Sequence, residues 1–186
     1  MGRHARVLAK RGYLVTAIDR DQSMLSRARE LGGGPRYIQA DVRDYRPESC
    51  KYDAIIIMGQ SFGHFDAATN QAILDRFASG LRHGGRLLLD LWNRDFFNAH
   101  QGERDFQLSD GTVRETKRVK GDRLFVQLTY PTGGQEHFEW QLFAPESIEA
   151  VATPLGFRLV GCYSDFLDSV MSCSSKPRIQ FILERV

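Results

Sequence analysis

Two aspartates stand where the sequence pattern predicts that short strands end. Asp19 follows the apolar run at residues 13–18 and lies 17 residues after Gly2. A carboxylate at the end of a strand, about 20 residues after a glycine turn, can accept hydrogen bonds from both hydroxyls of a ribose. Asp41 follows a second strand-like run at residues 37–40. This spacing is compatible with a nucleoside site, and the alternative is that Asp19 only ends a strand and Asp41 only forms a turn.

A serine pattern indicates a different chemistry. Residues 59–63 match G-x-S-x-G directly after a predicted strand, which is the nucleophile-elbow pattern of α/β-hydrolases. Ser61 would then be the nucleophile of an esterase, with Asp90 and either His100 or His137 as triad partners in the right chain order. However, the next helix is predicted to begin several residues later, and no H-G-G-G segment precedes the serine. These two departures weigh against a hydrolase.

The elements that must position these residues alternate between helix and strand in the first half of the chain. The run at residues 52–58 (YDAIIIM) is the most apolar, so we expect a strand buried on both faces. Alternation of this kind predicts a parallel sheet covered by helices. The predicted helices cover residues 4–11, a stretch after the N-cap Asp21 and a stretch from about Asp66, and the predicted strands cover residues 13–18, 37–40, 52–58 and 86–91.

The second half of the chain has a different pattern. Several runs alternate apolar with polar residues between glycine-containing turns, which predicts antiparallel hairpins. Within one run, we expect Phe138 and Trp140 to divide between a packed and an exposed face. Pro145 predicts the start of a helix. The predicted strands are residues 112–119, 123–130, 136–143, 158–163 and 178–185, with a loop at 164–176.

Together these patterns predict an α/β fold. It consists of a Rossmann-like, mostly parallel sheet with flanking helices, an antiparallel last strand and an inserted antiparallel hairpin region at residues 103–143. The length of 186 residues suits one domain, and the share of charged residues, 26%, is typical of soluble globular proteins.

Composition also restricts the partners. A net charge of +2 without a track of basic and aromatic residues disfavours nucleic acid, and no apolar run or leader pattern predicts a membrane span or secretion. The 3 cysteines form neither a C-x-x-C pair nor an even disulfide set, which favours the reducing cytoplasm. The 5 histidines lack ligand spacing with the cysteines, so no metal is implied.

Several segments, taken in their order along the chain, resemble the motifs of class I S-adenosylmethionine (SAM)-dependent methyltransferases. The resemblance covers residues 2–92 closely and residues 145–186 loosely. Residues 2–9 resemble the end of the glycine-rich first motif, and residues 13–19 followed by 23–25 resemble the second-strand motif. Residues 40–43 resemble the turn after the third strand, and residues 52–55 with 61–65 resemble the fourth strand and its exit loop in small-molecule members.

The resemblance implies SAM as the cofactor and a set of binding residues. Asp19 would hold the ribose, and Asp41 would take the adenine amino group with the Val42 N–H near the ring. Gly2 would let the backbone approach the cofactor without a Cβ. Arg20 and Met58 are the other predicted cofactor contacts. The predicted acceptor contacts are chosen by position: His64 lies in the loop after the fourth strand, and Gln60, Trp92 and Asn93 lie at strand carboxyl ends, where ligands bind in open α/β sheets.

The sequence departs from the family at its start. The first strand and the first two motif glycines of the family would precede Gly2, so we expect one methyltransferase-like domain over residues 1–186 that is truncated at its N-terminus. Either the chain is a fragment of an active enzyme, or the strands at residues 13–18 and 52–58 pair directly in place of their missing neighbour.

The expected reaction is methyl transfer to a small-molecule acceptor by in-line displacement, driven by positioning. A base is needed only for an acceptor that must lose a proton, and His64 is the candidate. The alternatives are the Ser61 esterase, a nicotinamide oxidoreductase, and a non-catalytic binding module. No tyrosine begins the Y-x-x-x-K pair that a short-chain dehydrogenase would need. The sequence indicates neither the identity of the acceptor nor the oligomeric state.

Overall fold

The computed structural model describes residues 2–166 and 174–186 and divides the chain into two compact units, Met1–Arg46 and Pro47–Val186. Each unit has its own sheet structure. None of the described helices is long and apolar enough to cross a membrane. The third cysteine, Cys173, lies outside the described residues, and Cys50 and Cys162 are not in a disulfide.

The first unit is a small helix–strand repeat. Its two strands pair in parallel, from Thr16 opposite Arg36 to Asp19 opposite Gln39. The predicted N-cap is confirmed, because the Asp21 carboxylate accepts hydrogen bonds from the backbone of the first turn of α2. The elements are α1 (Arg3–Lys10), β1 (Thr16–Asp19), α2 (Gln22–Glu30) and β2 (Arg36–Gln39).

The first predicted strand is too long. Tyr13 and Leu14 lie before β1, and the side chain of Leu14 is fully exposed. The apolar pattern alone does not distinguish a buried strand from a segment that leads into one, because both carry large apolar side chains. Packing in this unit is instead centred on α2, where Leu25 and Ala28 are buried.

The second unit contains two four-stranded sheets. The first has the strand order β3-β4-β10-β9, and the second is the antiparallel meander β5-β6-β7-β8. The elements are β3 (Tyr52–Ile57), α3 (Ala67–Gly80), β4 (Leu81–Trp92), α4 (Arg94–Ala99), β5 (Gly102–Leu108), β6 (Gly111–Lys120), β7 (Arg123–Thr129), β8 (Gln135–Gln141), α5 (Pro145–Ala152), a 3₁₀ turn (Thr153–Leu155), β9 (Phe157–Tyr163) and β10 (Arg178–Arg185).

The first of these sheets confirms the predicted fold class. Strand β3 runs parallel to β4, and β10 runs antiparallel to both β4 and β9. The central strands carry the core, because Leu87, Leu89, Phe181 and Leu183 are fully buried. These four side chains share one face of the sheet, since Phe181 is paired with Leu89 and Leu183 with Leu87. The last strand is antiparallel, as predicted.

Strand β3 corrects one expectation. The run at residues 52–58 was expected to be buried on both faces, but Asp53, Ala54 and Ile56 are exposed, the last at 40%. The strand pairs with β4 along one side only and is the edge of its sheet, and edge strands keep more contact with solvent. Strands β1 and β3 belong to separate sheets, so the direct pairing considered above is not observed.

The antiparallel sheet packs against the short helix α4. The buried side chains at this contact are Phe97 from the helix with Leu124, Val126 and Leu142 from the sheet region. The sequence did not predict α4 or β5, because α4 has only 6 residues and β5 (GERDFQL) is mostly polar. Both elements depend on the neighbours they pack against more than on their own propensity.

Candidate functional site

The parallel pairing of β1 and β2 places Asp19 and Asp41 at one edge of the first unit. Asp19 is the last residue of β1, and the Ala40 N–H donates to its carbonyl oxygen at 3.0 Å. Asp41 is the next residue after Ala40. Because the carboxyl ends of parallel strands meet at the same edge, the two predicted binding residues are neighbours there.

The Asp19 carboxylate accepts one hydrogen bond and has capacity to accept more. Its Oδ1 accepts a hydrogen bond from the Asp21 N–H at 3.0 Å, and the side chain is half-buried. Within residues 2–166 and 174–186, no group donates to the other oxygen. The arrangement leaves acceptor capacity for two hydroxyl groups, as the ribose prediction requires.

Arg43 holds the Asp41 carboxylate. Its Nε donates to Oδ1 at 3.0 Å and its Nη2 donates to Oδ2 at 2.7 Å, and its backbone N–H also donates to Oδ1. These hydrogen bonds lower the pKa of Asp41 to about 2, with the side-chain hydrogen bond as the main cause. Since a carboxylate can accept about four hydrogen bonds, one position remains for an amino group. The carboxylate is therefore ionised and oriented at neutral pH.

The remaining predicted cofactor residues of this unit lie on the adjoining turns. Gly2 has a left-handed φ of 61°, and a Cβ there would lie 2.6 Å from the Tyr37 hydroxyl oxygen. Glycine is therefore required for packing within the unit, whatever binds nearby. Arg20 is exposed and its carbonyl accepts from the Gln39 side chain, whereas Val42 is half-buried.

In the second unit, the turn after β3 is fixed by a buried carboxylate. Gly59 and Gln60 both have left-handed φ values, 68° and 57°. The Gly59 N–H donates to Oδ2 of Asp90 at 2.9 Å, and the Gln60 side-chain amide donates to the same oxygen at 3.2 Å. The backbone of Gln60 donates to the Asp90 carbonyl at 3.0 Å. Asp90 on β4 therefore accepts three hydrogen bonds from this turn.

Asp90 is completely buried and is itself held from β10. Arg178 pairs with both of its oxygens through Nε and Nη2, and Gln180 Nε2 donates to Oδ1 at 2.9 Å. A buried charge is stable only when it is paired and hydrogen-bonded in this way. The guanidinium of Arg178 also lies over the ring of Phe166, at 4.8 Å from its centre.

The loop between β3 and α3 is fixed at its other end by the antiparallel sheet. Gly63 has a φ of 97°, its carbonyl accepts from the Gln141 N–H at 2.7 Å, and a Cβ there would lie 2.8 Å from the Gln141 carbonyl oxygen. The carbonyl of Phe65 accepts from Arg123 at 2.7 Å. Asp66 caps α3, close to the position at which the sequence predicted that the helix begins. The loop is thus bound at both ends within its unit.

His64 lies in this loop and contacts Trp140 of β8. The Trp140 indole N–H donates to His64 Nε2 at 3.1 Å, and the two rings are 5.2 Å apart. Because an indole nitrogen can only donate, Nε2 must be the accepting nitrogen, which places the proton of a neutral His64 on Nδ1. To act as a base through Nε2, His64 would have to release Trp140.

Aromatic rings extend from His64 along the sheet. Trp140 lies edge-on to Trp92 at 6.2 Å and stacks on Phe138 at 5.7 Å. The expectation that Phe138 and Trp140 lie on opposite faces is wrong, because residues two apart on a strand share a face. Trp92 is half-buried at the end of β4, within this aromatic group.

Asn93 has a structural role in the geometry. It is buried, its Oδ1 accepts from the Asp95 N–H to cap α4, and its Nδ2 donates to the Lys176 carbonyl at 2.9 Å. Its side chain therefore links the end of β4 to the segment before β10. The predicted contact of Asn93 with an acceptor stays a prediction.

A shallow cleft of about 420 Å³ lies beside the β3–α3 loop. One wall comes from the loop and the start of α3, and the other from the antiparallel sheet. Its lining residues are His64, Asp66, Ala67, Asp122, Arg123, Glu139 and Gln141. The cleft carries both charge signs, and its carboxylates are bound to neighbouring groups, as in the Arg123–Glu139 ion pair at 2.7 Å.

The hydrolase triad is not assembled. The Ser61 hydroxyl donates to the Met58 carbonyl at 2.9 Å, and α3 begins only at Ala67. Asp90 binds arginine, glutamine and backbone groups rather than a histidine. His100 Nδ1 contacts the carbonyl of Phe96. The pattern at residues 59–63 is therefore a turn held by Asp90.

The predicted site residues fall into two groups, one in each unit. The structure brings together Asp19 and Asp41 with their turns in the first unit. In the second unit, Trp140 links His64 to Trp92, and Gln60 is bound separately by Asp90. Sequence reasoning did not identify Arg178 and Gln180, whose contacts fix the Gln60 turn through Asp90. No local motif marks them, because their partner lies about ninety positions earlier in the chain.

Comparisons with known proteins agree with the fold of this chain. Residues 1–85 match the family model of a methyltransferase domain. The fold is similar to that of the CcbJ methyltransferase of Streptomyces caelestis, with a TM-score of 0.81 and 16% identity over 100% of this chain and 80% of that one. It is also similar to the SAM-bound amino pentose methyltransferase CalS10 of Micromonospora echinaspora, with a TM-score of 0.72 and 19% identity over 100% and 79% of the two chains.

A third similar structure is the glycopeptide N-methyltransferase MtfA complexed with SAM. Its TM-score is 0.69, with 18% identity over 100% of this chain and 83% of that one. No curated protein matches the chain in sequence. At these identities, the structural likeness is one of fold.

Proposed function

We propose that the chain is a class I SAM-dependent methyltransferase, which transfers the methyl group of SAM to a small-molecule acceptor. The observation that carries this proposal is the parallel pairing of β1 and β2, with Asp19 and Asp41 at one edge. Two carboxylates with remaining acceptor capacity, on neighbouring strands, suit the two ends of an adenosine.

The residues of the first unit suit the adenosine part of SAM. Asp19 has one carboxylate oxygen without a donor among the described residues, so its carboxylate can accept from the ribose hydroxyls. Asp41 is oriented by Arg43 and can accept from the adenine amino group, with Val42 beside it. Gly2, Arg20 and, in the second unit, Met58 complete the proposed cofactor set.

When bound, SAM supplies a methyl group that its positive sulfur already activates. The protein then needs to align the acceptor and exclude water, rather than to activate the donor. We assign alignment to the β3–α3 loop, with Gln60, His64 and Trp92 as acceptor contacts and Asn93 as the residue that holds the end of β4. This assignment follows the rule that ligands bind at the carboxyl ends of parallel strands.

His64 is the proposed base for an acceptor that must lose a proton. Its accepting nitrogen, Nε2, is bound by Trp140, so proton removal requires that this hydrogen bond be exchanged for one to the acceptor. An acceptor that attacks through its own lone pair does not need this exchange before the methyl group moves.

Small molecules are the proposed acceptors for two reasons. The net charge of +2 provides little attraction for nucleic acid, and two of the similar structures are an amino pentose methyltransferase and a glycopeptide N-methyltransferase. Amino sugars and glycopeptides are therefore the first candidates. A cytoplasmic location stays a prediction, supported by the free Cys50 and Cys162.

The proposal is tested with methyl-labelled SAM, incubated with the chain and either an amino sugar panel or the small-molecule fraction of a cell extract. We expect label in a small product that mass spectrometry identifies as its precursor with one hydrogen replaced by the labelled methyl group. The control is a fluorophosphonate probe, which should not label Ser61, since its hydroxyl donates to Met58. Labelling of Ser61 without methyl transfer would favour the esterase.

A further inference from the structure

Asp90 is a buried carboxylate whose contacts converge on the turn that follows β3. Both the Gly59 N–H and the Gln60 side chain donate to its Oδ2, and the Gln60 N–H donates to its carbonyl. One residue of β4 therefore provides three hydrogen bonds to a two-residue turn. None of these contacts follows from the nucleoside or serine patterns in the sequence.

The turn needs such support because its conformation is unfavourable. Gln60 has a φ of 57°, and a side chain with a Cβ rarely adopts this left-handed region. Residues in such conformations persist where surrounding groups hold them, and they are frequent at ligand sites. Gly59 precedes it with a φ of 68°, which glycine adopts without strain.

Asp90 is suited to stabilise the turn because burial and hydrogen bonds fix its own position. It is completely buried and bound at both oxygens by Arg178 and Gln180, which lie on the neighbouring strand β10. Strands β3 and β4 run in parallel, so the turn and Asp90 lie toward their carboxyl ends, where ligands bind in such sheets.

We propose that Asp90 is a positioning residue, which holds the Gly59–Gln60 turn in its left-handed conformation and so presents Gln60 to the methyl acceptor. This inference rests on the proposed function, because the acceptor contact of Gln60 is part of it. Asp90 would act through the turn, without touching the acceptor itself.

Amide hydrogen exchange on the purified chain tests whether Asp90 stabilises the turn. In Asp90→Ala, we expect exchange at the Gly59 and Gln60 amides to become at least tenfold faster, beyond any change elsewhere in the unit. The matched control is Glu184→Ala. Glu184 also lies in this sheet and accepts from an arginine, Arg158, at 2.6 Å, but it is near the other end of β10. Equal acceleration in both variants would overturn the inference.

A second substitution separates positioning from general stability. A glycine in place of Gln60 would adopt the left-handed φ without strain, and its N–H would keep its acceptor, the backbone carbonyl of residue 90. The double variant Asp90→Ala/Gln60→Gly should therefore regain at least half of the lost protection, on a logarithmic scale, at the amide of residue 60. A purely structural role of Asp90 predicts no recovery there, because the buried ion pair is still missing. No recovery would therefore contradict the inference.

Methyl transfer from labelled SAM to the small-molecule fraction of an extract tests the consequence for catalysis. We expect Asp90→Ala to lower kcat at least tenfold while KM for SAM changes less than threefold, and Glu184→Ala to change neither. A loss that only follows the folded fraction would overturn the inference. A wild-type chain that transfers no methyl would instead contradict the proposed function, and the exchange measurements do not depend on that result.

A variant that leaves the ion pair intact covers the case in which Asp90→Ala does not fold. Gly59→Ala places a Cβ at a φ of 68° in open space, and Gly84→Ala does the same at 74°, near the start of β4. We expect Gly59→Ala to lower kcat at least fivefold and Gly84→Ala to leave it within twofold. Equal effects would show that the turn after β3 has no special role and would overturn the inference.

Discussion

The carboxylates of the two units are held in different ways. In the first unit, Asp19, Asp21 and Asp41 each bind a residue two positions later in the chain. Asp21 is exposed, and Asp19 and Asp41 are half-buried. In the second unit, Asp90 is completely buried, and its partners lie 30 to 90 positions away. The first arrangement is local and accessible, and the second depends on the assembled sheet.

This difference separates binding from positioning. An exposed carboxylate that keeps acceptor capacity can exchange water for a ligand at little cost, because it is already hydrated. A buried carboxylate has given up its water for fixed partners, so it contributes a rigid attachment instead. We therefore expect changes at Asp90 to affect stability strongly, and changes at Asp19 or Asp41 to affect ligand binding.

The largest expected effect on stability is that of Asp90→Ala. Removing the carboxylate leaves Arg178 without its partner, and breaking a buried pair costs about 3 kcal/mol when one partner keeps some contact with solvent. Urea unfolding followed by tryptophan fluorescence measures the change. Glu184→Ala, whose ion pair is more exposed, should cost about 1 kcal/mol or less. Equal costs would remove the distinction between buried and exposed carboxylates.

An intermediate effect is expected at Glu115 of β6, which is nearly buried and binds both Arg104 and Lys117. Burial alone would raise the pKa of Glu115, but the hydrogen bonds from these two residues outweigh it and lower the pKa. Glu115→Gln should cost about 1 kcal/mol in urea unfolding, since Arg104 is largely exposed and its charge is screened. A loss of unfolding free energy as large as that of Asp90→Ala would contradict the expectation that the exposure of the arginine partner reduces the effect.

A smaller effect on stability is expected from Arg43→Gln. The pKa of Asp41 should rise from about 2 toward its ordinary value of 3.8, because the main hydrogen bond that lowers it is lost. A lowered pKa in the folded state contributes stability that is complete above the unfolded value and is lost as the pH falls through about 2. The two proteins should therefore differ most above about pH 4 and converge near pH 2. Carboxyl NMR titration measures the pKa of Asp41. An unchanged value would contradict the claim that Arg43 lowers it.

The same contrast explains what the sequence could predict. Asp19, Asp41 and the cap Asp21 were identified because their partners and their strands lie within a few residues. Periodicity also predicted most helices and strands, including the antiparallel last strand. The exposure of β3 was not predictable, because an apolar run does not tell how many neighbours a strand has.

The second site group was predictable only in part. The sequence singled out Gln60 and His64 by their position after a strand, but Asp90 was considered only as a triad member. Its contacts with Arg178 and Gln180 require the pairing of β4 with β10, which no local pattern specifies. The Trp140–His64 hydrogen bond depends in the same way on how the antiparallel sheet meets the β3–α3 loop.

The most direct test of the adenosine site is calorimetric titration with S-adenosylhomocysteine of two variants that differ by two positions on the same turn. Asp19→Asn removes an acceptor oxygen from the proposed ribose contact, whereas Asp21→Asn makes the same charge change and keeps a side chain that caps helices equally well. We predict that Asp19→Asn weakens binding about tenfold or more, since hydrogen bonds to a charged group are strong, and that Asp21→Asn stays within about twofold of the wild type. Equal affinities of the two variants would contradict the account.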